Sequence, residues 1–164
     1  MNGVKKLRDM GNDIKTSAEA LEADISPCGH AVHFAEAPEK LAENQPLPEG
    51  VAKKPIEDKS PAEWAYERII LYIKNFEEQL DGDHEVAMGF TGGDAGVLKI
   101  EGLGFFDPDI VTFYGNDAGG AKTQLVQHVS QLNVMLRALP KEIEAEEPNR
   151  IGFRLAEDLE KSKA

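Results

Sequence analysis

Lys122-Thr-Gln-Leu-Val-Gln-His-Val-Ser-Gln-Leu-Asn-Val-Met-Leu-Arg-Ala-Leu139 decides the fold, because it reads two ways. Leu125, Val129, Leu132, Leu136 and Leu139 recur at spacings of four and three, which suits one helix with a single apolar stripe. The same residues also read as two short strands, Gln124–Val129 and Asn133–Leu139, pinched at Ser130-Gln131. Periodicity leans toward the helix. One reading gives a helix, a three-stranded antiparallel sheet and a second long helix at 122–139; the other gives a helix and five strands.

The residues before this stretch are less ambiguous. Ser60-Pro61-Ala62-Glu63 is a capping box with proline at the first helical position. The helix it opens runs to about Leu80. Ala62, Ala65, Tyr66, Ile69, Tyr72, Ile73, Phe76 and Leu80 form its apolar stripe, and Glu63, Glu67, Lys74, Glu77 and Glu78 mark the expected wet side. Trp64 and Leu71 add a second apolar face. Strands follow at Glu85–Phe90, Val97–Phe106 and Ile110–Tyr114, separated by a Gly-rich loop and by Asp107-Pro108-Asp109, a turn sequence. Gly102 and Gly104 allow the second strand to bend sharply.

The flanks differ in composition. Prolines at 27, 38, 46, 48 and 55 stand among Glu, Lys and Ala, so residues 1–60 are expected to form a largely disordered arm. Residues 61–140 are the expected folded α+β domain, and 141–164 an acidic link with a short helix on Ile151, Leu155 and Leu159. The net charge is -12, divided as -3 over residues 1–60, -7 over 61–140 and -2 over the rest. The folded part is the most acidic, which disfavours a nucleic-acid partner. No apolar run reaches the ~18 residues of a membrane span, mean hydropathy is -0.41, the N-terminus lacks a secretory signal, and Cys28 has no second cysteine to pair with. These point to a cytoplasmic protein with no membrane partner.

Chemistry-bearing residues are sparse. Cys28, His30 and His33 could contribute to a zinc site but lack a second cysteine pair, and Asp81, Asp83, Glu85, Asp107 and Asp109 lack the alternation of a calcium loop. The loops at 91–96 and 115–120 lack the Gly-Lys-Ser/Thr of a phosphate loop. No metal, cofactor or catalytic residue is assigned. Enzymatic use of the loop carboxylates ranks last among the possible functions, since no spacing pairs them with a nucleophile.

The block from Pro61 to Pro140 resembles an uncharacterised bacterial domain-of-unknown-function family. Its Phe106-Asp107 turn, the following Ile110-Val-Thr-Phe113 and the motif Gln127-His-Val-Ser130 also resemble the Sm-like fold, in particular its Hfq-type bacterial branch. Two departures stand out: Gly102 lies four rather than five residues before Phe106, and Val126-Gln127 replaces the branch's Tyr-Lys pair. The resemblance moves the reading of 122–139 to two strands. It implies a capping helix over a strongly bent five-stranded barrel, edge-to-edge oligomers, and a rim of Gln127, His128, Ser130, Gln131 and Asn133 that could face a nucleotide or RNA base. The function expected first is a non-enzymatic oligomeric binding or assembly module whose arm recruits a protein partner, with nucleotide or RNA binding second.

Overall fold

The computed structural model describes Val32, residues 41–90 and residues 96–162. All but Val32 belong to one compact unit, Phe34–Ala164. In chain order this unit contains a short helix α1 (Glu49–Ala52), the long helix α2 (Pro61–Glu78), strands β1 (His84–Phe90), β2 (Val97–Phe106), β3 (Ile110–Asn116), β4 (Lys122–His128) and β5 (Val134–Pro140), and helix α3 (Ile151–Ser162). The contested stretch is two strands, so the long helix at 122–139 is ruled out. A 3-10 turn at Val129–Gln131 separates the two. On either side of it exposure alternates residue by residue, with Leu125, Leu132, Val134 and Leu136 turned toward the core and Gln124, Val126, Met135 and Arg137 exposed. Period two has prevailed over the helical spacing, because one face of each strand meets the core.

The five strands form one antiparallel sheet in the order β4-β3-β2-β1-β5. The expected closed barrel is not formed: β4 pairs with β3 and β5 with β1, which leaves those two strands as opposite edges. Their core-facing side chains Leu125, Val134 and Leu136 are accordingly only half-buried. The bend expected in β2 is present. Val97 and Leu98 pair with β1, whereas Lys99 to Phe106 pair with β3, and the register shifts between Ile100 and Gly102. Glu101 is the extra residue of this β-bulge. Gly115 lies opposite it, where a Cβ would stand 2.1 Å from the Lys99 carbonyl oxygen, so only glycine fits.

The core lies between the sheet and the helices. Met88, Leu98, Ile100, Leu103, Val111 and Phe113 come from the sheet, Ala62, Ile70 and Ile73 from α2, and Ile151, Leu155, Ala156 and Leu159 from α3. Phe90 meets Phe113 edge to face at 5.0 Å, a geometry that aromatic quadrupoles favour. The C-terminal helix expected from Ile151, Leu155 and Leu159 thus docks on its own domain.

Helix α2 starts where the capping box predicts, with the Glu63 N–H donating to Ser60 Oγ at 3.1 Å. Its roll differs from expectation. Ala62, Glu63, Glu67, Ile70, Ile73 and Glu77 are the buried residues, and Tyr72 is 44% exposed. At ~100° per residue the buried arc is turned by roughly 80° from the predicted stripe. The cause is two covering segments. Residues 41–60, expected as part of a disordered arm, instead fold against α2: Val51 is buried, Lys59 Nζ donates to the Val51 carbonyl and pairs with Glu67 at 2.8 Å, and Lys54 pairs with Glu63 at 2.9 Å. Residues 1–40, Val32 excepted, lie outside the described residues. On the other flank α3 approaches so closely that a Cβ on Gly152 would lie 2.8 Å from the Lys74 backbone.

Candidate functional site

The turn Asp107-Pro108-Asp109 ties three elements together. Ser60 Oγ donates to Asp107 Oδ1. The Ala62 N–H donates to the Pro108 carbonyl at 3.0 Å and the Val129 N–H to the Asp109 carbonyl at 2.8 Å. The start of α2, the β2–β3 turn and the end of β4 are therefore held at one corner. His128, the last residue of β4, sits there on the outward face of the sheet.

Both nitrogens of His128 are engaged. Nε2 lies 3.0 Å from Asp109 Oδ2, and Nδ1 lies 2.7 Å from Ser130 Oγ. The Ser130 backbone N–H also donates to Nδ1, at 3.1 Å. An N–H can only donate, so Nδ1 carries the lone pair and Nε2 the hydrogen that points to Asp109. One role of this ring is plain: it caps the 3-10 turn Val129–Gln131. The other is a line of carboxylate, imidazole and hydroxyl in hydrogen-bond sequence.

The five residues expected to share a rim do not present one surface. His128, Ser130, Gln131 and Asn133 are exposed, but Gln127 turns inward with Oε1 buried and without a hydrogen-bond partner. Asp109 stands in the sequence only among the candidate cation ligands, and its place beside His128 is not read there. It stands 19 residues before His128, in a turn where aspartate is ordinary, and only strand pairing brings them together.

The other acidic candidates have local roles. Asp81 accepts from the His84 ring at 2.7 Å, a bond that holds its carboxyl below the ordinary range. Glu85 accepts from the Asn149 N–H at 2.9 Å, and Asp83 faces Lys141 at 3.8 Å. Among the described residues no group of three or more His, Cys, Asp or Glu side chains is placed to hold a metal ion. Cys28, His30, His33 and the loop at 91–95 lie outside them.

Two further features involve α2. Glu77, buried at its C-terminal end, accepts the Gly152 N–H on both carboxylate oxygens at 2.9 and 3.0 Å, so one helix caps the next. Burial pushes this carboxyl up, and the N–H groups of Gly152 and Phe153 offset part of the shift. On the opposite side Ile69, Tyr72, Leu132, Val134 and Leu136 line an open apolar groove of about 400 Å³ beside β5. The Tyr72 hydroxyl donates to Glu43, and burial with that bond raises its pKa to about 12.

The model of a family of unknown function, DUF6173, matches residues 55–154. The chain belongs to that family. The DUF6173 match begins ahead of α2 and ends inside α3, so it takes in segments from both flanks that cover α2 as well as the whole sheet. The expected uncharacterised family is thereby found. No curated protein and no solved structure matches the chain. No helix among the described residues is long and apolar enough to cross a membrane.

Proposed function

We propose that this chain is an assembly module in which the β4 edge of one copy pairs with the β5 edge of the next, and that residues 1–40 recruit a protein partner. One observation carries the assembly reading. The part of the α2 stripe that the described residues leave partly open, Ile69 and Tyr72, adjoins β5, which has no second strand partner among them, and forms the apolar groove with Leu132, Val134 and Leu136. An edge strand offers a row of free backbone donors and acceptors, and an apolar groove beside it adds burial to any strand that pairs there. The half-buried Leu125 on the core face of β4 matches this groove in chemistry.

Two different edges make the contact heterologous, so it closes into a ring when the rotation per copy permits. The strand order, the bent β2 and the short turn between β4 and β5 support an Sm-like reading of this assembly. Light scattering on the purified chain at micromolar concentration tests it. A ring or other closed oligomer is expected, and a double substitution Val126→Lys with Met135→Lys, at positions 57% and 54% exposed, should shift it to monomer with the fold retained. A wild-type chain that is monomeric under these conditions sinks the reading.

A further inference from the structure

We propose that Ser130 is an activated nucleophile, with His128 as its general base and Asp109 as the positioning residue, and that it cleaves activated carboxylic esters with an apolar acyl group. The inference goes beyond the assembly reading and does not depend on it. Its basis is the hydrogen-bonded line Asp109 Oδ2, His128 Nε2, His128 Nδ1, Ser130 Oγ, at 3.0 and 2.7 Å. A serine hydroxyl is a weak nucleophile until a base within hydrogen-bond reach takes its proton and a third group orients that base. All three parts are present, with the two imidazole nitrogens exchanged relative to the usual serine-hydrolase arrangement. Because the Ser130 N–H pins Nδ1 as an acceptor, the basic nitrogen is the one facing the hydroxyl.

The neighbouring surface indicates the substrate class. Cross-strand pairing places Phe106, Ile110 and His128 in one outward-facing row, and Val126 lies in the next row beyond Thr112. Phe106 is 75% exposed and Val126 57%. They are exposed apolar side chains on the sheet face that carries His128, which an acyl chain can cover. The Ser130 N–H donates to Nδ1 at rest and loses this acceptor once Nδ1 takes the hydroxyl proton, so the base step costs a hydrogen bond. That favours esters with good leaving groups over amides.

In the reaction Ser130 Oγ bonds to the ester carbonyl carbon while its proton passes to His128 Nδ1. The C–O bond to the alcohol breaks, and the departing oxygen takes that proton. Water then gives a proton to Nδ1 and attacks the acyl-serine, releasing the acid and restoring the hydroxyl. One ester and one water yield one acid and one alcohol.

The full chain treated with a fluorophosphonate probe should carry the adduct on Ser130 by peptide mass spectrometry, and it should hydrolyse p-nitrophenyl butyrate. Ser130→Ala should remove the adduct and lower hydrolysis by at least about a hundredfold, the lower range for a lost general-base contribution. His128→Asn separates catalysis from structure, because asparagine can still cap the turn but cannot act as the base. It should lose labelling while its circular dichroism and melting temperature stay close to wild type. Phe106→Ala should raise KM for the butyrate ester more than it lowers kcat. Absence of labelling in the wild type, labelling that survives Ser130→Ala, or a well-folded His128→Asn that labels at the wild-type rate would each overturn the proposal.

Discussion

The two sides of helix α2 make an instructive contrast. One carries Glu63, Glu67 and Glu77 and is buried; the other carries Ile69 and Tyr72 and is partly open. Hydropathy alone assigns them the other way round. A helix face is buried when another segment of chain covers it, and a carboxylate is tolerated there when the covering segment brings a partner. Lys59 supplies an ammonium to Glu67, Lys54 does so for Glu63, and Gly152 supplies backbone N–H to Glu77. The open side has apolar chemistry and, among the described residues, a partial cover in which Glu43 reaches the Tyr72 hydroxyl; it is there that a second copy is proposed to dock.

The contrast breaks most readily at Lys59–Glu67, where both side chains are fully buried. Glu67→Ala strands the Lys59 ammonium beneath α2, also stacked 4.4 Å from the Trp64 ring, and should lower stability by about 3–5 kcal/mol in urea denaturation. The double substitution Lys59→Met with Glu67→Leu should recover most of that loss, because no unpaired charge remains. Second comes Gly152→Val, which forces side-chain atoms against the Lys74 backbone and the Glu77 carboxylate. A loss of about 1–3 kcal/mol is expected. Faster amide exchange confined to α3 and the adjoining turns of α2 would locate it, whereas uniform exchange across the sheet would contradict local undocking.

The smallest effect concerns pH. The folded-state pKa of Glu77 lies above its ordinary value of 4.5, so this group's contribution to stability is fully present below that value and is lost as pH rises through the raised one. Glu77→Gln should therefore flatten the decline in melting temperature as pH is raised from about 4.5. An unchanged slope would show that the carboxyl titrates alike in the folded and unfolded chain.

Much of the scaffold was legible because its signals are local. Ser60 and Glu63 marked the start of α2, β2 was bounded by its turns, and Gly102 with the 107–109 turn located the bend and the hairpin. What escaped reading depended on contacts between distant segments. The predicted wet side of α2 failed because periodicity along 61–80 carries no trace of residues 49–60 or of α3. Residues 122–139 were ambiguous because leucines at spacings of three and four also alternate locally, and the turn that separates the strands is only three residues long. Within the candidate site, His128 and Ser130 stood out as neighbours in sequence. Asp109 did not, since its place beside the ring follows from the pairing of β3 with β4.

The bond between Glu77 and Gly152 also has a consequence in time. These residues are separated by 75 positions in the chain. At a synthesis rate of about 5–20 residues per second, roughly 4 to 15 s pass between their additions to the nascent chain. During that interval the carboxylate meets water rather than the helix end it will cap, and the side of α2 that α3 later covers stays open. The last cover to arrive is the one that closes the core.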